Sequence, residues 1–272
     1  MVPASNIVDP VMGPTSISHH YQNRVVVISG GSSGIGLGIS HHLATLGATV
    51  VIFGRSQDKL DAATAAIAGQ GGNAVGYSVD VRDAPGIVER LADVAQQHGP
   101  LDLVIAAAAG NFFAPADKLS ANGFKTVIDI DLIGTFNVFS AALPHTRKPG
   151  GVLLAITAPQ AQRAIPNQAH ACAAKAGIDM LVKCLALEWG AKGVRVNAVS
   201  PGPIAGTEGL ARLSATPEIE TAVRNNTALK AFGEVSDIAR AVAYLGSPDA
   251  RYVTGTILDC DGGMRLGNFP SL

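Results

Sequence analysis

At 272 residues, 47% of them hydrophobic, the chain can bury one large core, and its formal net charge of −1 at pH 7 argues against a nucleic-acid partner. No apolar run approaches the roughly 20 residues of a membrane-spanning helix, and no basic stretch precedes an apolar one at the N-terminus, so neither a membrane partner nor a signal peptide is expected. Three cysteines without metal-ligand spacing suit a reducing compartment, so we expect a cytoplasmic protein that binds no metal.

The first 21 residues are predicted to form a loose arm outside the core. They are rich in Pro, Ser and Asn, and their apolar residues follow neither a strand period nor a helix period. No internal repeat and no polar linker divides the rest of the sequence. We therefore predict an N-terminal arm at 1–21 and one domain at 22–272.

Short, nearly continuous apolar runs alternate with longer stretches that have helical spacing. The runs suit strands that are covered on both faces, and they are Arg24–Ser29, Thr49–Phe53, Ala74–Ser78, Leu101–Ile105, Val152–Thr157, Val194–Val199 and Thr256–Asp259. The helical stretches are Ile35–Leu46, Gln57–Ala68, Ala84–Gln97, Phe124–Leu143, Gln168–Trp189 and Ser236–Leu245. This alternation predicts a single-domain α/β fold with a Rossmann-type, doubly wound parallel sheet, and 201–234 is predicted to be rich in loops.

A glycine-rich turn, Gly30-Gly31-Ser32-Ser33-Gly34-Ile35-Gly36, follows the first predicted strand and begins a helix. Glycines let the backbone approach a pyrophosphate, and the free amides and dipole of a helix N-terminus favour the anion. Ordinary strand-to-helix turns also use glycines. The place of this turn after the first strand favours dinucleotide binding, with contacts from Gly30, Ser32, Ser33, Gly34 and Ile35.

The second predicted strand ends at Phe53-Gly54-Arg55-Ser56, without the acidic residue that would bind an adenosine ribose 2′-hydroxyl. A guanidinium and a hydroxyl suit a 2′-phosphate instead, because Arg offers paired, charge-assisted hydrogen bonds. The alternative is that Arg55 is an ordinary solvated charge after a strand. The pattern favours NADP(H) over NAD(H), with Arg55 and Ser56 at the phosphate.

Further motifs carry a family resemblance: Asp80-Val81, the small-residue run to Gly110, Lys175 and Pro201-Gly202-Pro203-Ile204. With the glycine-rich turn, they resemble the short-chain dehydrogenase/reductase family over roughly residues 22–263. The resemblance implies that more residues bind the cofactor: Asp80 and Val81 at the adenine, Ala107, Ala108 and Gly110 near the adenosine, Thr157 and Lys175 towards the nicotinamide side, and Pro201, Gly202 and Ile204 at the carboxamide.

The family's usual catalytic residues, an Asn, a Ser, a Tyr and a Lys, are mostly absent. The matching positions hold Asp131, Ala158, Ala171 and Lys175. Positions 171 and 175 share a helix face, so a tyrosine at 171 would have stood beside the Lys175 ammonium. Alanine donates no proton, and positioned acid catalysis is worth about 10²- to 10⁴-fold, so we expect ketone reduction to be severely weakened.

The 2,4-dienoyl-CoA reductase branch of the family departs in the same way, and the chain resembles its peroxisomal type. The matching stretches include Ala108-Ala109-Gly110-Asn111-Phe112, His170-Ala171 before Lys175, and the run from Pro201 to Leu213. The mitochondrial type has a tyrosine where this chain has Gln160. The resemblance implies NADPH-dependent reduction of an acyl-CoA type substrate and a homotetramer. It also implies these site residues: Lys175, Asp131 and Asp261 in catalysis, and Asn111, Phe112, Arg163 and His170 at the substrate.

The chemistry explains how this branch dispenses with tyrosine. When hydride adds to the δ-carbon of a dienoyl thioester, charge spreads to the thioester oxygen, and a held water then protonates carbon. The site must supply preorganised donors rather than a direct acid. On this interpretation Lys175 anchors the ribose and lends positive charge, and Asp131 and Asp261 position the water.

Several assignments have a structural alternative. Asp131 could be a satisfied buried group, Asp261 could hold the turn before Gly262-Gly263, and His170 could be structural. Arg163 either binds a CoA phosphate or caps a loop. Two other functions also stay open: a 3-oxoacyl thioester or carbonyl reductase with His170 as donor, and a catalytically silent NADP(H)-binding module.

Overall fold

Seven parallel strands form the central sheet of the computed structural model, which describes residues 17–214 and 216–267. The strands are β1 Val25–Ser29, β2 Thr49–Gly54, β3 Asn73–Ser78, β4 Leu101–Ala106, β5 Gly151–Ile156, β6 Val194–Pro201 and β7 Ile257–Cys260. Their order is β3-β2-β1-β4-β5-β6-β7, and every neighbouring pair is parallel. The predicted doubly wound α/β fold is confirmed, and β1 and β4 lie side by side at its switch point.

Helices cover both faces of this sheet. They are α1 Ile17–His20, α2 Gly34–Thr45, α3 Gln57–Ala68, α4 Ala84–His98, α5 Ala121–Ile128, α6 Gly134–Ala142, α7 Ala169–Trp189, α8 Glu208–Leu213, α9 Pro217–Asn225 and α10 Val235–Gly246. Helices α2, α3 and α10 pack on one face, and α4, α6 and α7 pack on the other. The sheet is therefore the middle layer of three.

Each inner strand contributes side chains to two hydrophobic clusters, one on either face. In β1, Val26 and Ile28 belong to the cluster under α2 and α10, whereas Val25 and Val27 belong to the cluster under α4 and α7. All five residues of β1 are buried. Burial on both faces explains why this strand is a continuous apolar run rather than an alternating one.

The predicted arm is wrong at its C-terminal end. Residues 17–20 form the single turn α1, and Tyr21 is 1% exposed within the core. The Tyr21 hydroxyl donates to the Ala243 carbonyl at 2.8 Å, so its phenol is both packed and satisfied. Residues 1–16 lie outside the described part of the chain. The burial of Tyr21 was not predicted, because a single aromatic residue produces no periodic pattern.

The stretch 201–234 contains two short helices, α8 and α9, where loop was predicted. Each begins at a threonine cap, because the Thr207 hydroxyl accepts from the Leu210 amide at 3.2 Å and the Thr216 hydroxyl accepts from the Ile219 amide at 3.3 Å. The frequent Gly and Pro residues of this stretch predicted loop, so the threonine caps were not recognised as helix starts. Helices of this length produce too few turns for a clear apolar period.

The helix predicted at 124–143 begins earlier and is not uniform. The Ser120 hydroxyl caps it by accepting from the Gly123 amide at 3.0 Å, so α5 begins at Ala121. Between α5 and α6 the chain makes a π-helical turn, Asp129–Ile133. Turns of this kind shift side chains out of their regular helical direction. Here the shifted segment carries Asp131.

Two findings bear on membrane and metal binding. None of the helices within 17–214 and 216–267 is both long and apolar enough to cross a bilayer. In the same residues, no three His, Cys, Asp or Glu side chains come together as metal ligands could. The three cysteines, Cys172, Cys184 and Cys260, are free thiols.

Candidate active site

A cavity of about 530 Å³ lies at the carboxyl ends of the strands, beside the switch point between β1 and β4. Ligands of open α/β sheets bind at this place. Most residues predicted to bind the cofactor line it, and they are Gly30, Ser32, Ser33, Gly34, Ile35, Arg55, Ser56, Asp80, Val81, Ala107, Ala108, Thr157, Lys175, Pro201, Gly202 and Ile204. Gly110 is the predicted cofactor residue that is absent from this lining, although Ala109 and Asn111 beside it belong there.

The turn after β1 has the close backbone approaches that a pyrophosphate cradle needs. Gly30 has a φ of +74°, and a Cβ there would lie 2.7 Å from backbone atoms of Ala108. A Cβ on Gly36 would lie 2.2 Å from the Gly30 carbonyl oxygen. Helix α2 begins at Gly34, and the Ser33 side chain does not cap it. The first amides of α2 therefore stay available to an anion, as a dinucleotide requires.

Basic side chains line the part of the cavity next to the end of β2. Arg55 and Lys59 are exposed and line it, with Ser56 between them at the start of α3. Asp80 pairs with Arg82 at 2.6 Å, and the hydrogen-bonded Arg82 guanidinium holds the pKa of Asp80 below its usual value. Sequence inspection missed Lys59, because a lysine on the exposed face of a helix is common.

Lys175 and Asp131 form a buried ion pair at the centre of the site. The Lys175 Nζ lies 3.0 Å from Asp131 Oδ2 and donates to the Ile156 carbonyl at 3.2 Å. The Gly110 amide donates to Asp131 Oδ1 at 2.7 Å. The pair is thus hydrogen-bonded on both sides, as a buried charge pair must be to persist. Asp131 is buried and hydrogen-bonded, as the structural alternative predicted, and it also lines the cavity.

The positions of the missing hydroxyls face the same cavity. Ala158 follows β5, and Ala171 lies one turn before Lys175 in α7. Both residues line the cavity, and Ala171 is only 4% exposed. A phenol or hydroxyl at either position would face the cavity. The site can therefore orient an anion, but at these two positions it has no hydroxyl group that could donate a proton.

A network of three amide side chains lies next to the alanines. Gln168 is buried, and its Oε1 accepts from Asn111 Nδ2 at 3.0 Å and from Gln160 Nε2 at 3.3 Å. Asn111 and Gln160 line the cavity. Asn111 was predicted to be at the substrate. Gln160 and Gln168 were not, because 57 residues separate Gln168 from Asn111 and no local pattern links them.

Asp261 is positioned as the holder of a turn. Its Oδ1 accepts from the Gly263 amide at 2.8 Å, and its Oδ2 accepts from the Arg265 amide at 2.7 Å. It is buried and does not belong to the cavity lining. These contacts favour the predicted alternative, in which Asp261 stabilises the turn before Gly262-Gly263. They give its predicted role at the water no support.

Three residues predicted at the substrate lie behind or beside the cavity wall. His170 is fully buried, and neither ring nitrogen has a hydrogen-bond partner among the described residues. The Phe112 ring covers it, with ring centroids 4.5 Å apart. Arg163 is exposed and donates to the Met264 carbonyl at 3.3 Å. His170 lies outside the cavity lining, so its position gives no support to a role as the proton donor of a carbonyl reductase.

The cavity lining also includes apolar side chains far along the chain from the glycine-rich turn. Leu210 of α8 and Val223 of α9 line the cavity, together with Ile165 and Met264. Apolar walls with a few directed polar groups are typical of small-molecule sites. The helices that sequence inspection missed thus provide much of the apolar wall.

The comparisons with known proteins agree with this geometry. The family model described as Enoyl-(Acyl carrier protein) reductase matches residues 30–265. The peroxisomal 2,4-dienoyl-CoA reductase, (3E)-enoyl-CoA-producing, of Mus musculus is 42% identical over 252 residues, covering 92% of this chain and 86% of that protein. The probable 2,4-dienoyl-CoA reductase, (2E)-enoyl-CoA-producing, of Bacillus subtilis (strain 168) is 37% identical over 252 residues, covering 92% of this chain and 99% of that protein.

Solved structures give the same result for the fold. A short chain dehydrogenase from Bacillus anthracis superposes with a TM-score of 0.85 at 37% identity, covering 92% of this chain and 100% of that one. A short-chain type dehydrogenase/reductase from Mycobacterium ulcerans superposes with a TM-score of 0.87 at 30% identity, covering 92% and 93%.

Proposed function

The chain belongs to the short-chain dehydrogenase/reductase family, and from that premise we propose that it catalyses the NADPH-dependent reduction of a 2,4-dienoyl-CoA to an enoyl-CoA. The observation that carries this proposal is the presence, in one cavity, of the buried Lys175–Asp131 pair and of alanine at both hydroxyl positions, 158 and 171. Such a site can stabilise a delocalised anion but cannot protonate an alkoxide through a phenol. The names of the relatives support the same substrate class.

Family membership implies a nicotinamide cofactor, and the choice of NADP(H) over NAD(H) is part of the proposal. Arg55, Ser56 and Lys59 line the end of the cavity beside the exposed N-terminus of α3. Two cationic side chains and the N-terminus of a helix suit a 2′-phosphate. A carboxylate in place of Arg55 would have suited the 2′-hydroxyl of NAD(H).

In the proposed reaction, a bound reduced nicotinamide supplies the hydride that the δ-carbon of the dienoyl thioester accepts. The protein must then stabilise negative charge on the thioester oxygen until water protonates carbon. Lys175 has three N–H donors, and Asp131 and the Ile156 carbonyl account for two of them. The third stays available to the cofactor ribose or to a water. Because the ammonium is held on two sides, its charge is preorganised.

Asp131 is the residue that we propose to hold the water. Each carboxylate oxygen can accept two hydrogen bonds, and the Gly110 amide and Lys175 each occupy one site. Each oxygen therefore keeps one acceptor site, and Asp131 lines the cavity. Asp261 lacks this arrangement because it does not line the cavity, and each of its oxygens accepts from an amide of the adjoining turn.

A homotetramer is a further part of the proposal. Large apolar side chains are exposed between α5 and the end of α7, and they are Ile133, Phe136, Met180 and Leu187. Leu187 is 86% exposed. Exposed apolar residues grouped on neighbouring helices are typical of association surfaces. A cytoplasmic location stays a prediction from the sequence.

The proposed activity is tested with purified protein, NADPH and 2,4-hexadienoyl-CoA, by following the loss of dienoyl absorbance. We expect turnover that the Lys175→Ala variant lacks. No difference between the two proteins would overturn the proposal. Turnover of acetoacetyl-CoA that His170→Ala abolishes would identify a carbonyl reductase instead, and tight NADPH binding without turnover of either substrate would identify a binding module.

A further inference from the structure

The cavity leaves the thioester oxygen of a substrate without its usual donors. Ala158 and Ala171 present only methyl groups. The Thr207 hydroxyl, which also lines the cavity, is engaged, since it donates to the Ile204 carbonyl at 2.7 Å and accepts from the Leu210 amide. A developing negative charge that meets no donor is costly in a water-poor site. The buried Thr157 hydroxyl lines the cavity as well, and amide side chains of the wall are the other candidate donors.

Two amide side chains near the alanines have N–H groups to spare. A primary amide carries two N–H donors, and both Asn111 and Gln160 use one of them on the same oxygen, Gln168 Oε1. One N–H remains on each side chain. Both residues line the cavity, where Asn111 is exposed and Gln160 is half-buried.

From this arrangement, and building on the proposed function, we infer that Gln160 and Asn111 form a two-amide clamp that binds the thioester oxygen, with the buried Gln168 as the residue that positions both. Gln160 thus takes the place of a hydroxyl donor. Gln168 touches neither substrate nor cofactor in this assignment. It acts through the two amides that it holds.

Neighbouring groups restrain the clamp. Gln160 lies in a 3₁₀ turn, Pro159–Ala161, whose Pro159 is buried. The backbone carbonyl of the exposed Asn111 accepts from Arg212 Nη1 at 2.6 Å. Gln168 is 1% exposed. Donors that are fixed before the charge develops need no reorganisation during the reaction, and such donors are the most effective.

An amide clamp also suits a dienoyl thioester better than a ketone. An amide N–H stabilises an oxyanion but is far too weak an acid to transfer its proton. The clamp itself would therefore give no proton to the localised alkoxide that a reduced ketone forms. A dienolate keeps its charge delocalised and takes a proton on carbon from water. The clamp is thus better matched to the conjugated substrate.

Two unreactive ligands isolate the contact with the oxygen. Hexanoyl-CoA and S-hexyl-CoA differ only in that a carbonyl of the first is a methylene in the second. Their dissociation constants are measured by titration calorimetry on the complex with NADP⁺, for wild type, Gln160→Leu and Gln162→Leu. Gln162 is the matched control, because it lies two residues away, outside the cavity lining, and bonds Asp179 and Arg265.

We expect wild type and Gln162→Leu to prefer the thioester, and Gln160→Leu to lose about three- to tenfold of that preference, the usual value of one hydrogen bond. With 2,4-hexadienoyl-CoA, kcat of Gln160→Leu should fall by about 10- to 100-fold, because bonds to charged groups are stronger. KM should change little, and NADPH affinity should stay within about twofold, since the cofactor residues are untouched.

Gln168 is tested by two variants in the same titrations. Gln168→Leu removes the shared acceptor and should lower the thioester preference as Gln160→Leu does, whereas Gln168→Glu keeps an acceptor oxygen and should retain more of it. An unchanged preference in Gln160→Leu, with wild type active on the dienoyl thioester, overturns this inference alone. A wild-type protein that neither binds hexanoyl-CoA nor reduces the dienoyl thioester overturns the proposed function and the clamp together.

Discussion

The ammonium of Lys175 and the carboxylate of Asp131 lie 3.0 Å apart, with 11% and 2% of their side chains exposed. Forty-four positions separate them along the chain, and the π-helical turn and α7 bring them together. A charge pair this deeply buried is costly to desolvate, and replacing both partners often leaves stability unchanged. The pair is therefore better explained by the chemistry of the cavity than by stability.

Stability and activity should separate when this pair is altered. Asp131→Ala leaves the Lys175 charge buried without its partner, so the free energy of unfolding should fall by about 3–5 kcal/mol in urea denaturation. Adding Lys175→Met should restore most of that stability but no activity. The exposed pair of Lys125 and Asp129, one turn earlier, is the control, and Asp129→Ala should cost less than about 1 kcal/mol. Equal losses for the two single variants would contradict a buried pair.

Cofactor preference should depend on Arg55. Arg55→Asp removes a cation from the end of the cavity and adds a carboxylate that can bind a ribose 2′-hydroxyl. The dissociation constant for NADPH should rise by about 10- to 100-fold, the effect of one or two charge-assisted hydrogen bonds, and NADH should become the preferred cofactor. Fluorescence titration measures both. Arg240→Asp makes the same charge change on the exposed side of α10 and should leave the preference as it is. Tighter binding of NADH than of NADPH by wild type would refute the assignment.

The cradle of backbone atoms at Gly36 should tolerate no side chain. In Gly36→Ala, the added methyl would lie 2.2 Å from the Gly30 carbonyl oxygen, so the turn has to move and the pyrophosphate site with it. We expect NADPH affinity to fall at least about tenfold, with the fold retained by circular dichroism. Gly190→Ala is the control, because a Cβ there meets nothing within 4 Å and the φ of −56° is helical. Normal affinity in Gly36→Ala would show that the turn is not the cradle.

Asp179 should make stability depend on pH. Burial raises the pKa of its carboxyl above the ordinary 3.8, and the nearby Asp259 carboxylate acts in the same direction. Between 3.8 and that raised pKa the folded protein binds more protons than the unfolded chain, so the contribution of Asp179 to stability is lost as pH rises through this interval. Asp179→Asn should therefore flatten the decline in denaturation midpoints measured from pH 4 to pH 7. The exposed Asp117→Asn should leave the profile unchanged, and an equal effect of both variants would contradict this explanation.

The tetramer should dissociate when charge enters its proposed surface. Leu187→Glu places a carboxylate at an 86% exposed apolar position near the end of α7. Light scattering should then give a smaller mass than for wild type, because a charge without a partner is disfavoured in an interface core. Val88→Glu, at a 54% exposed apolar position on α4, is the control and should keep the wild-type mass. A wild-type monomer, or a tetramer that survives Leu187→Glu, would reject this surface.

Sequence patterns predicted the repeated units of the fold better than its special positions. The strand runs and α3 match their predicted places to within two residues, since the buried inner strands and a helix with one buried face each impose a regular apolar signature. Helices α8 and α9 were not predicted, because short capped helices lack that signature. Tyr21 escaped because its burial depends on the Ala243 carbonyl, more than two hundred positions away.

The candidate site divides in the same way. The glycine-rich turn, Arg55 and the alanines at 158 and 171 were readable from the sequence alone, because each depends on residue type at a local spacing. The surroundings of Asp261, His170 and Gln160 were not. A carboxylate, an imidazole or an amide can serve equally well in a turn, in the core or at a substrate, and local sequence does not distinguish these places.

By itself, the sequence determined the parallel sheet, which follows from periodicity. It also determined the dinucleotide cradle and the loss of the catalytic hydroxyl groups, which follow from residue chemistry over a few positions. Only the tertiary structure decided that Lys175 pairs with Asp131, that Asp261 binds a turn, and that one buried oxygen of Gln168 holds two amides. The physical reason is that hydrogen bonds and ion pairs act over about 3 Å in space, whatever the distance along the chain. Partners far apart in sequence meet only when the packing of strands and helices brings them together.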